Sequence, residues 1–414
     1  MPHEQKERVF AEAKAMGAST IRLDIEMHGA FKRYDRWDWR DWSGVDDVVA
    51  LSREYDIPIT AVLFGVPNHI SACIDRSERC PPSSYVAYGN YVGELAERTR
   101  GAISTFEVLN EPDTHQVFRG TPEQYARLLA AAYDAIKARS PGSRVLMGGV
   151  SGTGARDWLA RVFATPGAAA ASKFDVANVH MRGSVTSLPR MVQFWKSFFA
   201  AYRPRGVPLW ITEHGYPADP AYQNDPAYRG GEGAQAAYLR DSLPTLVRAG
   251  AARIFVSTRD TWPNEYGTDS PYYSEGVAKV GLSAPYSVRR RPSAGVVRSL
   301  SAQWPRVPHT VPMEARLTAA RNEHAVACFQ ATGERDGLTE SIAAKRRSIA
   351  KLRTATRRAA KRHRRRQVTS LRGRTKRGLR ELGALERREE SVAARAASRC
   401  GLVRVYQARI DTGR

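Results

Sequence analysis

Two carboxylates in matching settings carry the first chemical signal in this sequence. In FEVLNEPD, residues 106–113, an apolar, β-branched run stops at Asn110-Glu111-Pro112. Proline ends strand pairing because it has no N–H to donate. Glu111 is therefore expected at the C-terminal mouth of a buried strand. In PLWITEHGYP, residues 208–217, Glu213 follows a second apolar strand of the same design. Two carboxylates delivered by strand ends can divide a reaction, one giving a proton while the other attacks as a nucleophile.

The elements that must position this pair alternate along the chain. Helical patterns over 3–16, 45–55, 85–99 and 121–138 precede strands at 19–25, 58–64, 104–109 and 144–150. The helix at 121–138 has Thr121 as its N-cap and Pro122 at its first helical position. A strand follows at 174–180, then a helix around 187–202, a strand at 207–212, a helix from about Gln235 to Arg248, a strand at 252–257 and a last helix near 293–302. Seven helix–strand units at this spacing imply a parallel sheet, which could be open and doubly wound or closed into a barrel. The carboxylates favour the barrel, because there all strand C-termini face one mouth and side chains from distant strands can meet.

Composition sets bounds. A chain of 414 residues with 42% hydrophobic residues can bury a sizeable core and has room for a second domain. It contains no apolar run of membrane-helix length, and MPHEQKERVF has no apolar signal core. The net charge is +22, but residues from Glu314 onward hold 27 Lys+Arg against 10 Asp+Glu, so the excess belongs mainly to the tail. The four cysteines, Cys73, Cys80, Cys328 and Cys400, show no metal-site spacing, and no cofactor is implied. Cys73 and Cys80 could form a short staple or remain free thiols. Trp37, Trp39 and Trp42 are read as a loop cluster that either stacks on sugar or packs on the barrel.

The pair NEP at 110–112 and TEHGYP at 212–217, with the strand series between them, resembles the clan A glycoside hydrolases, the (β/α)8 enzymes that include family 5 cellulases and family 39 xylosidases. The likeness covers roughly residues 3–305. It implies a retaining glycosidase of oligo- or polysaccharides, with Glu111 on the family's fourth strand as acid/base and Glu213 on its seventh as nucleophile. It also implies that Arg22 lies near the nucleophile, that Asn110 binds the hydroxyl next to the anomeric carbon, that His180 ends the sixth strand, and that Trp262 forms a platform under the sugar. Each has a plainer alternative: Arg22 could pair with Asp24 or Glu26, His180 could be structural, and Trp262 could simply pack. The sequence departs from family 5 where that family often places a tyrosine against the nucleophile, since Arg182 stands there and would hold Glu213 ionised by charge. Phe64-Gly65 likewise stands where family 5 often has histidine.

By the family's strand count STIRLDI is strand two and strand one is absent, so the expectation is seven barrel strands with a gap between STIRLDI and ARIFVS. The same loss would account for a missing export signal in a secreted or wall-associated protein. The domain division is 1–308 for the barrel and 309–414 for a basic helical region. Apolar residues at 338, 342, 349, 352, 368, 371, 382 and 385 fit a partial heptad, giving a hairpin of helices near 338–366 and 374–398, tied at its base by Cys328 and Cys400. KRHRRRQ at 361–367 suits an anionic wall polymer or membrane surface better than nucleic acid, because no aromatics are interleaved and no nucleic-acid module accompanies it. A merely solvated charged helix is the alternative. The protein is expected to be a monomer, and the competing function is an inactive carbohydrate-binding or adhesion protein.

Overall fold

The computed structural model of the protein describes residues 2–34, 37–260, 269–281, 286–304, 335, 338–339, 341–362 and 364–412. Trp262 lies outside them. So does Cys328, and with it the expected pairing to Cys400. The chain divides into two compact units, one holding nearly all of residues 1–309 and the other formed mainly by 310–414.

The first unit alternates helix and strand. In order it contains α1 (His3–Ala15), β1 (Ile21–Glu26), α2 (Met27–Ala30), β2 (Phe31–Tyr34), β3 (Trp37–Arg40), α3 (Ser43–Tyr55), β4 (Ile59–Phe64), α4 (Tyr85–Arg98), β5 (Ile103–Val108), α5 (Pro122–Arg139), β6 (Arg144–Leu146) and α6 (Arg156–Ala164). It continues with β7 (Ala177–His180), α7 (Leu188–Tyr202), β8 (Leu209–His214), α8 (Glu232–Ala249), β9 (Arg253–Val256), β10 (Ala278–Val280), β11 (Val288–Arg290) and α9 (Pro292–Ser301). β1, β4, β5 and β6 pair in parallel, as do β7, β8 and β9. Parallel bridges Leu146–Val176 and Val150–Val179 join the two sets. The series thus holds seven parallel strands, the α/β arrangement of a TIM-type barrel, and among the described residues no further parallel strand pairs with β1 or β9.

Burial explains why these segments form strands. β4 is buried at Ile59 through Leu63, with side chains pointing both ways, because helices cover one face and the barrel interior the other. α5 begins with a reciprocal cap: Thr121 N–H donates to Gln124 Oε1 at 2.8 Å, and Gln124 N–H donates to Thr121 Oγ1 at 3.3 Å. Such a box stabilises a helix start by about 1 kcal/mol. The buried face of α5 presents Tyr125, Leu128, Leu129, Ala132 and Ile136 to the sheet.

Two local expectations change. The segment at 31–40 is not an irregular loop, because β2 and β3 form an antiparallel hairpin. Trp42 packs edge-on against Phe31 at 5.2 Å and under the Arg98 guanidinium at 5.0 Å, so it serves packing. α6 was not legible, being nine residues long, yet it buries Leu159, Val162 and Phe163. Cys73 and Cys80 are joined as a disulfide.

In the second unit, residues 341–361 form a helix, α10, and α11 (Arg365–Thr412) follows after a turn. α11 starts nine residues earlier than expected, since Gly373 does not interrupt it. The two helices fold back on each other: Arg346 Nη2 donates to Glu386 Oε1 at 2.8 Å, and Leu338 packs with Val392. Leu338, Ile342 and Ile349 of the partial heptad are buried.

Candidate active site

Parallel pairing puts the C-terminal ends of β5, β7 and β8 on one mouth, and the site is assembled there, with Arg22 reaching it from the start of β1. Glu111 lies just past β5, where Leu109 and Glu111 adopt φ of 66° and 34°. Left-handed backbone at two non-glycine residues is strained and is maintained only where surroundings demand it. Here the Asn110–Gly149 bridge and the Glu111 N–H bond to Gly149 O at 3.0 Å fix the turn. Asp113 braces it further by accepting from Ser151 N–H at 3.1 Å. Glu213 is the fifth residue of β8 rather than a residue beyond it. Register shifts between Val179 and His180 on β7 bring His180 opposite Glu213, the kind of irregularity that re-aims a side chain.

The expected residues converge. His180 Nδ1 is 2.7 Å from Glu111 Oε1 and 3.4 Å from Glu213 Oε2, and one oxygen of each carboxylate and a His180 nitrogen all lie within 4.8 Å of one another. Arg22 Nη1 donates to Glu213 Oε1 at 3.0 Å and Arg22 Nη2 to Asn110 Oδ1 at 2.8 Å, leaving the Asn110 amide nitrogen as a donor. Arg182 Nη2 donates to Glu213 Oε2 at 3.2 Å.

Two further carboxylates escaped the sequence reading. Glu107, fully buried on β5, accepts from Arg22 Nε at 2.7 Å and Nη2 at 3.1 Å, from Gly149 N–H at 2.9 Å and from Asn178 Nδ2 at 2.9 Å. Its signal was present, because a carboxylate in the middle of an apolar strand must be paired. Glu275 accepts from Arg182 Nε and Nη2, both at 2.8 Å; it follows no strand pattern, and nothing in the sequence singles it out. Close packing around this network excludes side chains at Gly149, where a Cβ would stand 2.5 Å from His180 Nε2 and 2.7 Å from Thr212 Oγ1.

Electrostatics separate the roles. Burial works to raise the Glu213 pKa, but His180, Arg22 and Arg182 outweigh it and hold the carboxyl down to about 2. Arg22 and Arg182 stay charged: burial opposes this, and the adjoining carboxylates, Glu107 with Glu213 and Glu275 with Glu213, raise both above the ordinary arginine value. Behind Glu213, His214 is wholly buried; burial pushes it down to about 4, while Nδ1 donates to Met181 O at 2.8 Å and Nε2 lies 2.9 Å from Ser242 Oγ. An ionised carboxylate beside a second one on the same imidazole can support nucleophilic attack coupled to proton transfer. Glu111, His180 and Glu213 could also ligate a cation, but the guanidinium groups of Arg22 and Arg182 on Glu213 oppose it.

Comparison with known proteins agrees with this architecture. Residues 93–250 match the family model described as glycosyl hydrolase catalytic core. No curated protein matches the sequence. Among solved structures, a family 39 glycoside hydrolase from the gut symbiont Bacteroides cellulosilyticus WH2 is 14% identical with a TM-score of 0.52, covering 72% of this chain and 60% of its own. The GH39 enzyme from Xanthomonas axonopodis pv. citri is 17% identical with a TM-score of 0.55, covering 74% and 65%. GH5_18 from Streptomyces cattleya, in complex with GlcNAc, is 19% identical with a TM-score of 0.53, covering 73% and 75%. The chain thus spans less than two thirds of the two family 39 proteins, and at these identities the likeness establishes the fold. Residues 93–250 are thus similar to a glycosyl hydrolase catalytic core, and the chain shares the α/β fold of these family 5 and family 39 enzymes.

Proposed function

We propose that this protein is a retaining glycoside hydrolase acting on an O-glycosidic bond of an oligo- or polysaccharide. The observation that carries the reading is the approach of Glu111 and Glu213 to within 4.8 Å through their nearest ligand oxygens. That spacing fits direct attack, for which carboxyl groups stand roughly 5–5.5 Å apart, and leaves little room for the intervening water of inversion. In the first step a Glu213 oxygen attacks the anomeric carbon, the bond to the leaving oxygen breaks, and that oxygen takes the proton of Glu111. In the second, Glu111 takes a proton from water, whose oxygen displaces Glu213. Asn110 is assigned to the neighbouring sugar hydroxyl, and His180, Arg22 and Arg182 to holding the two carboxylates in place and Glu213 ionised. Trp262 remains the proposed platform under the sugar ring.

The Cys73–Cys80 disulfide supports work in an oxidising compartment, secreted or at the cell wall. The basic tail is assigned an anionic wall polymer or membrane surface as its partner, by charge alone.

The test uses aryl glycosides. Wild type should hydrolyse one of a panel, and Glu213→Ala should lose turnover and be rescued by azide to a glycosyl azide of inverted configuration. Glu111→Ala should keep activity on substrates with good leaving groups and be rescued to a product of retained configuration. Rescue products of the opposite configurations would exchange the two roles, and an inert wild type would favour the binding-protein alternative.

A further inference from the structure

Arg182 is held on several sides, and most firmly by a group that is neither of the reacting carboxylates. Its Nε and Nη2 form a two-point pair with Glu275, both at 2.8 Å, while Nη2 also donates to Glu213 Oε2 at 3.2 Å. The Tyr272 ring lies 4.9 Å from its Cζ. Glu275 itself is fixed: it is 3% exposed, and Ser257 Oγ donates to its Oε2 at 3.2 Å. At Gly215 a Cβ would stand 2.4 Å from Glu275 Cγ, so only glycine admits this carboxylate beside β8.

We propose that Glu275 is a positioning residue for the nucleophile, sharing Arg182 with Glu213 and keeping that guanidinium compensated when Glu213 loses its charge. The proposal rests on the retaining reading above. Before attack, Arg182 faces two carboxylates. Once a Glu213 oxygen is bonded to the anomeric carbon, Glu213 is a neutral ester, and without Glu275 a half-buried guanidinium would stand without a carboxylate partner, an unfavourable state where solvent reaches it only in part. Arg22 is built on the same plan, since its second carboxylate, Glu107, is buried and takes no part in bond making. Each guanidinium on the nucleophile therefore has a permanent counter-charge of its own. Such an arrangement lets two cations hold Glu213 ionised without opposing its neutralisation.

Glu275→Gln keeps the size and one acceptor oxygen but removes the charge. With an aryl glycoside whose good leaving group allows both steps to be followed, formation of the glycosyl-enzyme should slow roughly 10- to 100-fold. Its breakdown, in which Glu213 regains its charge, should be unchanged or faster. Equal losses in both steps would mark Glu275 as a structural brace, and unchanged rates would also overturn the proposal. A second measurement does not need turnover: unfolding stability of Glu213→Gln, Glu275→Gln and the double variant. Sharing predicts that the double variant loses more than the two single losses added, because only there is Arg182 bare; additive losses overturn it. If wild type hydrolyses no aryl glycoside, the glycosidase reading fails, while this cycle still decides whether Arg182 is shared.

Discussion

The barrel mouth and the C-terminal helices both depend on arginine, and they use it in opposite ways. At the mouth, Arg22 and Arg182 are each matched to a buried carboxylate as well as to Glu213. In residues 351–380 of the tail there are 14 Lys+Arg and no Asp or Glu, and most of that stretch is exposed. Among the described residues, the hairpin's ion pairs Arg335–Glu389, Lys345–Glu381 and Arg346–Glu386 lie outside it. In a poorly solvated site a charge acts strongly on its immediate neighbours and salt screens it little; at the surface it acts weakly on each neighbour and is screened within about 10 Å at 0.1 M salt. The mouth therefore uses charge to set the ionisation of one group, and the tail presents it as a property of a surface.

The largest effect should come from breaking the buried side of this contrast. Arg22→Met removes the partner of Glu107, which is fully buried and has no solvent to turn to. Leaving one charge of a buried pair uncompensated typically costs 3–5 kcal/mol, so chemical denaturation should show a loss of about that size. A loss below about 1 kcal/mol would mean that Glu107 protonates or rearranges easily, and that the mouth is less rigid than its packing implies.

Much of this region was legible in the sequence, for physical reasons. The strands of the barrel are short apolar runs between helices of clear period, and Glu111 and Glu213 stood out because each broke such a run at its end. Asn110, His180 and Arg182 were reachable once the mouth was defined, as they lie at or just past the C-terminal ends of β5 and β7, whereas Arg22 is the second residue of β1 and meets Glu213 only through its long side chain. Glu107 could have been found by asking what a carboxylate does inside FEVL. Glu275 could not, because its partner Arg182 is 93 residues away and its own segment has no period. The β2–β3 hairpin was obscured by charged residues alternating with aromatics, which read equally well as loop. The early start of α11 was missed because Gly373 reads as a break, whereas one glycine disfavours a helix interior by only about 1 kcal/mol and the helix runs through it.

A second prediction concerns pH. Glu213 has its pKa lowered from 4.5 to about 2, so the stability it contributes is present above about pH 4.5 and is lost as pH falls towards 2. His214 is lowered from 6.5 to about 4, so between these values the unfolded chain binds a proton that the folded chain refuses. Its contribution is present in full above pH 6.5 and falls by about 3 kcal/mol on going down to pH 4. Denaturant unfolding should therefore show a first decline between pH 6.5 and 4 and a further one at lower pH. His214→Gln, which can still donate to Met181 O, should flatten the first and leave the second. If the first decline survives the substitution, another group controls it.

The smallest effect is expected in the tail, and its smallness is what would sharpen the contrast. The Arg346–Glu386 pair has the same 2.8 Å separation as the Arg182–Glu275 pair, but its side chains are 65% and 40% exposed where those of Arg182 and Glu275 are 29% and 4%. Exposed pairs contribute about 0–1 kcal/mol, since water solvates either partner once the other is removed. Glu386→Ala should accordingly change unfolding stability by less than about 1 kcal/mol, with even that difference fading in high salt. The same substitution adds to the tail's excess of positive charge, so retention on immobilised dextran sulfate should rise slightly at low salt and converge with wild type as salt increases. A destabilisation approaching that of Arg22→Met would show that the hairpin depends on this pair, and the distinction between charge that is built into a site and charge that is displayed on a surface would no longer hold for this protein.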